Sequence, residues 1–305
     1  MPLIALDWGT TSLRAYLLNS DGRVLDKKSA PLGILKVPNN DFDAAFEDTC
    51  GSWLINGLEA APILASGMIG SRQGWIEAPY VPCPAGVDQL ANKLAHVVTK
   101  KQRRLAIVAG ITSEDVNGVP DVIRGEETQV MGALQSGDRA RRLFVLPGTH
   151  SKWVFVESGN IVHFATFMTG EVFAALCEHT ILGRTMVGKK DNVETFQRGV
   201  EFATKQAAAS GGLLQQLFSA RTLALFDKMP GEALYAYLSG LLIGTELRGA
   251  ERLFGSQDDV TIIAENELAT LYQRAFRVTQ RPVAIAPDNV TPTGLFRLAQ
   301  ASGMI

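Results

Sequence analysis

Asp7-Trp8-Gly9-Thr10-Thr11-Ser12 joins an acid to a turn of small and hydroxyl residues, a set suited to a phosphate and its metal. A tight turn of this kind brings backbone N–H groups close to phosphate oxygens. A lone carboxylate at the end of a strand can hold Mg²⁺, which takes one or two carboxylates and keeps several waters. The turn Gly148-Thr149-His150-Ser151-Lys152 repeats the design. At an offset of 139 (148 − 9), Thr10 meets Thr149, Ser12 meets Ser151, Tyr16 meets Phe155 and Leu17 meets Val156. Leu146 and Pro147 stand where an acid matching Asp7 would be, so the metal is expected to be held from the first turn. His150 is read as a hydrogen-bond donor to phosphate, in preference to a base or a metal ligand.

A carboxylate base is the next requirement of phosphate chemistry. The run Asp121-Val122-Ile123-Arg124-Gly125-Glu126-Glu127-Thr128 opens a helix with two acids. Such acids often do no more than complement the helix dipole. Beside two phosphate turns, Glu126 or Glu127 is read as a general base for a hydroxyl or water, and spacing leaves open which. The loop Ser66-Gly67-Met68-Ile69-Gly70-Ser71-Arg72-Gln73-Gly74-Trp75 mixes three glycines with polar groups and is read as a contact for a small polar ligand. Arg72 is a candidate partner for a carboxylate. Met168-Thr169-Gly170-Glu171 reads as a capped helix start.

The elements that must hold these residues follow from apolar spacing. Leu3–Leu6 runs into the first turn, Leu13–Leu18 leaves it, and Arg23–Leu25 completes a meander. Leu143–Leu146, Ser151–Val156 and Ile161–Phe164 repeat that order. Helices are expected over Asp43–Leu54, Asp88–Lys100, Glu126–Gln135, Gly170–Leu182, Glu232–Leu253, Glu267–Arg277 and Gly294–Gln300. Further strands are expected at Leu105–Gly110 and Val260–Ala264. A repeat of this length means two similar α/β lobes and no solenoid, whose periods are about 20–50 residues. The boundary is placed in the basic stretch 139–142, giving domains 1–138 and 139–305.

Composition narrows the function class. With 305 residues, 46% of them hydrophobic, the chain has material for two cores. A net charge of −2 offers no basic footprint for nucleic acid or an anionic membrane. No run reaches the ~18 apolar residues of a membrane span, and no basic residue precedes Arg14, so a cytoplasmic protein without a leader is expected. Three scattered cysteines make neither a disulfide framework nor a zinc site.

The repeated hairpin and the late strand–helix resemble the superfamily of sugar kinases, heat-shock protein 70 and actin. Within it, six ordered blocks resemble the 2-dehydro-3-deoxygalactonokinase family. They are Ile4–Ala15, Gly67–Tyr80, Arg124–Gln129, Pro147–Trp153, Met168–Glu171 and Gly240–Gly244. The resemblance implies two ribonuclease-H-like (actin-like ATPase) lobes with a cleft between them. It implies ATP-dependent phosphorylation of the C6 hydroxyl of 2-dehydro-3-deoxy-D-galactonate in bacterial galactonate breakdown. Asp7 would hold Mg²⁺ through water, and Gly9, Thr10, Thr11, Ser12, Gly148, Thr149, His150, Ser151 and Lys152 would cradle the phosphates. Ala264 would lie against adenosine, although Glu265-Asn266-Glu267 replaces the small turn usual there. Glu126 or Glu127 would accept the proton. Arg14, Gly67, Met68, Gly70, Ser71 and Trp75 would meet the sugar acid, Arg14 through its carboxylate. Expected partners are the sugar acid and ATP, with a homodimer allowed for. The rivals are a polyphosphate or nucleotide phosphohydrolase and an ATP-binding regulator or filament protein.

Overall fold

The computed structural model describes all residues except 56, 136, 138, 139, 206–210 and 256–259, and it omits the side chain of Asn266. β1 (Leu3–Trp8) is apolar on both faces and almost wholly buried, the pattern of a strand covered on both sides. It pairs antiparallel with β2 (Leu13–Leu18), which pairs with β3 (Val24–Ala30). On its other edge it runs parallel to β4 (Ile63–Ser66), and β4 runs parallel to β7 (Arg104–Ile107). β6 (Ala95–Val98) closes that edge antiparallel, so the sheet order is β3-β2-β1-β4-β7-β6. A small sheet, β5 (Tyr80–Pro82), β8 (Gly110–Glu114) and β9 (Pro120–Ile123), leads into the segment that carries the two glutamates.

The second sheet has the order β12-β11-β10-β13-β14, from β10 (Arg142–Leu146), β11 (Ser151–Glu157), β12 (Asn160–Phe167), β13 (Val260–Ile262) and β14 (Ala284–Ile285). Ser158 and Gly159, both at positive φ, make the turn between β11 and β12. In each sheet the first three strands stack in reverse chain order and the next two lie beyond the first. Setting aside the extra edge strand β6 of the first sheet, this shared order of five is what a duplicated hairpin should produce.

The helices are α1 (Phe42–Cys50), α2 (Val87–Ala91), α3 (Glu126–Ala133), α4 (Thr169–His179), α5 (Val193–Thr204), α6 (Leu213–Leu225), α7 (Gly231–Phe254), α8 (Asn266–Val278) and α9 (Val290–Ala301). α3 and α9 touch backbone to backbone. A Cβ on Gly132 would strike the Val290 carbonyl, and one on Gly294 would strike that of Thr128. Arg297 Nη1 donates to the carbonyls of Met131 and Leu134 at 2.5 Å each.

The chain forms two compact units. One takes in Met1–Arg141, Val156–Phe164 and Pro287–Ile305, the other Arg142–Phe155 and Ala165–Ala286. The division expected between residues 138 and 139 falls outside the described residues. The first unit's core centres on Trp8, Phe42, Phe46, Ile63 and Ile107. In the second, one cluster surrounds Trp153, Ile262 and Phe276, and another lies under α7 with Leu234, Leu238 and Leu241.

Two expected elements are corrected. The helix over Asp88–Lys100 stops at Ala91, and Ala95–Val98 is a strand paired with β7. The segment His96-Val97-Val98-Thr99 is rich in β-branched residues, which suit a strand better than a helix. The strand expected over Leu105–Gly110 also divides, ending at Ile107 and resuming as β8 from Gly110.

Candidate active site

Asp7 stands next to last on β1, in register with Ser66 on one side and Arg14 on the other. Its carboxyl is 19% exposed, and Arg14 Nη1 lies 3.8 Å from Oδ2. Arg14, expected to meet the sugar acid, is thus placed beside the candidate metal acid. In the turn that follows, Gly9 N donates to the Ser12 carbonyl at 3.0 Å, while Thr10 and Thr11 are exposed. A Cβ on Gly9 would touch nothing nearer than the Ser12 carbonyl at 3.8 Å, and its φ is not positive. A Cβ here would make only an ordinary contact, so packing does not account for the glycine. Behind the turn, a Cβ on Gly33 would collide with the backbone of Thr10 and Thr11.

The second turn has the same construction. The nearest atom to a Cβ on Gly148 is the His150 carbonyl at 3.8 Å. Gly170, in the first turn of α4, presses on the backbone of Gly148 and Thr149, and Glu171 N donates to the Thr149 carbonyl at 2.9 Å. Thr149 and His150 are exposed, and His150 Nε2 lies 2.5 Å from Glu171 Oε2. Two expected phosphate contacts point elsewhere. The Ser151 hydroxyl is buried and donates to Glu246 at 2.6 Å, and Lys152 Nζ, also buried, donates to the Thr166 hydroxyl at 2.7 Å.

Glu246, on α7, was absent from the sequence reading. Its buried carboxyl accepts from Ser151, from Trp153 Nε1 at 2.8 Å, from the Tyr272 hydroxyl at 2.6 Å and from Thr169. Burial pushes its pKa up, and these donors oppose the shift. An acid amid Leu241-Leu242-Ile243-Gly244-Thr245-Glu246-Leu247 was the signal available.

The two glutamates differ in setting. Glu127 is fully buried, with Oε2 accepting Gly125 N at 2.6 Å and Oε1 accepting the Thr128 hydroxyl at 3.0 Å. Burial, helped by the adjacent Glu126, raises its pKa to about 7. Glu126 is half-buried and accepts Arg124 N at 2.8 Å through Oε2. Glu127 therefore braces the bend, and Glu126 is the less buried of the two. Gly125, at φ 111°, makes that bend where a Cβ would be 3.1 Å from the Gly67 Cα.

The Gly67–Trp75 loop owes its glycines to packing, not to space for a ligand. Gly67 has φ 96° and lies against the Trp8 carbonyl, Gly70 is hemmed in by Ile107 and Ala78, and Gly74 abuts the Ile69 carbonyl. Met68 and Trp75 pack on the core, Trp75 with Trp8, Phe42 and Phe46. Arg72 is exposed and pairs with Glu77 at 3.4 Å. Ala264 is half-buried against the second unit's core, and Glu265 stands at the N-cap position of α8 without a side-chain capping bond.

Among the described residues, no group of three or more His, Cys, Asp or Glu could form a metal cage, and no helix is long and apolar enough to cross a membrane. Asp7 alone fits a hydrated Mg²⁺ shared with phosphate, which asks one or two carboxylates of the protein.

These glycine cradles predict a separation of effects. Gly9→Ala and Gly148→Ala should leave the melting temperature within about 2 °C while raising KM for ATP roughly tenfold or more, as expected when a methyl replaces a phosphate contact. Gly33→Ala and Gly170→Ala should lower the melting temperature as well. Thermal unfolding and initial rates on the four variants check this.

Two sheets of one topology, each opening on a Gly-Thr-x-Ser turn, define an actin-like ATPase and sugar-kinase fold. The chain belongs to the 2-keto-3-deoxy-galactonokinase family, whose profile matches residues 7–298. It is 33% identical to the 2-dehydro-3-deoxygalactonokinase of Escherichia coli (strain K12), over 98% of this chain and 97% of that protein. A crystal structure of a Sinorhizobium meliloti protein, to which the same activity is provisionally ascribed, superposes with a TM-score of 0.87 at 32% identity over 98% of both chains. The activator of 2-hydroxyisocaproyl-CoA dehydratase from Clostridium difficile, with bound ADPNP, shares the fold at 11% identity and a TM-score of 0.51, over 100% of this chain and 97% of that one.

Proposed function

We propose that the protein is a kinase that transfers the γ-phosphoryl group of ATP to the C6 hydroxyl of 2-dehydro-3-deoxy-D-galactonate. The observation that carries the phosphate chemistry is the pair of glycines, Gly9 and Gly148, at the two hydroxyl turns, where a Cβ would meet no clash and packing does not call for a glycine. The substrate name rests on membership of the family.

In such a reaction the C6 oxygen bonds to the γ-phosphorus, the bond to the β–γ bridging oxygen breaks, and ADP leaves. Positioning and charge neutralisation do most of the work. Each turn offers N–H and hydroxyl groups to phosphate oxygens, Gly9 to Ser12 in one unit and Gly148 to His150 in the other. Asp7 would hold Mg²⁺, which supplies positive charge to those oxygens. Glu126 accepts the hydroxyl proton, and Glu127 holds the Gly125 bend that aims it.

The test is ADP formation with Mg²⁺ and either 2-dehydro-3-deoxy-D-galactonate, its gluconate epimer or no sugar. ADP with the galactonate form alone is expected. Equal use of both epimers would widen the substrate, and phosphate release without sugar would replace the kinase by a phosphohydrolase.

A further inference from the structure

Arg124 is a buried cation whose guanidinium has no ion pair among the described residues. It is 8% exposed, Nη2 donates to the Ala78 carbonyl at 2.9 Å, and the guanidinium stacks on the Tyr80 ring with Cζ 4.3 Å from its centroid. Nε and Nη1 have no acceptor, and among the described residues no acid forms an ion pair with it. One carbonyl and one ring are a poor return for removing a guanidinium from water, because a buried charge is tolerated when it is paired. The hydroxyls of Ser66 and Ser71 are likewise buried without a partner.

These orphan donors belong to segments already tied to the chemistry. Ser66 is in register with Asp7, and Arg124 gives its backbone N–H to Glu126. A Cβ on Gly70 would come within 3.1 Å of Arg124 Nη1, so the turn ending in Ser71 lies against the guanidinium. The other arginines expected to meet a carboxylate each have an acid of their own, Asp7 for Arg14 and Glu77 for Arg72.

We propose that Arg124, assisted by the hydroxyls of Ser66 and Ser71, is the receptor for the C1 carboxylate of the sugar acid and selects acids over neutral sugars. The proposal rests on the kinase reading given above. The end-on fork of Nη1 and Nη2 matches a carboxylate in two-point contact, Nη2 keeping its other N–H for Ala78, and the ring of Tyr80 fixes the plane. Phosphate oxygens are served by the glycine turns, whereas Arg124 faces the loop of residues 67–78. Nη1 lies against the turn that ends in Ser71, so the carboxylate reaches it by displacing that turn.

The test compares 2-dehydro-3-deoxy-D-galactonate with its C1 amide on the wild type and on Arg124→Gln. Wild type should favour the acid, and the variant should lose roughly 10²-fold or more in kcat/KM for the acid, mainly through KM. The amide and KM for ATP should change less than about threefold, since neither uses the carboxylate contact. Equal losses on acid and amide would mean a structural arginine, and a loss confined to KM for ATP would mean a phosphate contact; either overturns the proposal. Should Arg124→Gln fail to fold, Arg124→Lys keeps the charge without the fork and should show the same selective loss. A thermal shift of the wild type without ATP separates this idea from the kinase reading. Stabilisation by the acid and not the amide supports the receptor even if no ADP forms, and equal stabilisation by both sinks it even if the enzyme is a kinase.

Discussion

Glu126→Gln is expected to lower kcat by about 10²–10⁴-fold, the usual contribution of a positioned base, with KM for ATP within about threefold of wild type. The side chain keeps its shape and an oxygen for the Arg124 N–H, so the bend before α3 should survive. A coupled assay of ADP release measures the effect; a variant that keeps more than about a tenth of wild-type turnover would remove Glu126 as the base. Glu127→Gln should act on stability instead. The Glu127 pKa stands near 7 in the folded chain, against the ordinary 4.5, so folding favours its protonated form. Below about pH 4.5 both states carry the proton and the contribution is whole. As pH rises towards 7 the unfolded chain ionises while the folded one resists, and by pH 8 a stabilisation of order 3 kcal/mol is lost. Wild type should therefore lose more of its urea midpoint between pH 5 and pH 8 than Glu127→Gln does. Parallel pH curves for the two proteins would show that Glu127 is not held neutral.

Glu246→Ala is expected to cost about 3–5 kcal/mol in urea unfolding. The side-chain donors of Ser151, Trp153, Thr169 and Tyr272 would lose one acceptor together, and an unsatisfied buried donor costs about 1–3 kcal/mol. Partial rearrangement keeps the sum below four independent losses. Because Ser151 opens β11 directly after the second turn, KM for ATP should rise in the same variant. A variant as stable as wild type would show that the four donors find other partners. Glu246→Gln, which retains one carbonyl oxygen, should fall between the two.

Both hydroxyl turns, their flanking strands and the long apolar pattern of α7 were legible because each is local, a matter of residues a few positions apart. The acids at 126 and 127 were legible as a pair but not as a division of labour. What separates them is that Glu127 folds back on Gly125 and Thr128 and leaves solvent, which depends on packing against α9. The bond between Ser151 and Glu246 spans 95 residues, and that from Arg124 to Ala78 spans 46, so neither leaves a periodic trace. Glycine was the most deceptive residue type. Gly9 and Gly67 look alike in sequence, yet a Cβ would fit without a clash at one and strike the Trp8 carbonyl at the other, and only the surrounding chain decides which.

The seat of α3 on α9 also sets an order of events during synthesis. Arg297, which clamps the carbonyl of Met131, is made 166 residues later. At about 5–20 residues per second, the ribosome takes roughly 8–30 s to supply it. Throughout that interval the helix bearing Glu126 lacks the surface on which it rests, with Gly132 bare on the side that α9 will cover. The nascent first unit must therefore wait, with its glycine turn made but the helix after Gly125 not yet seated. A chain stalled before Val290 would carry α3 without the helix against which Gly132 and Arg297 seat it.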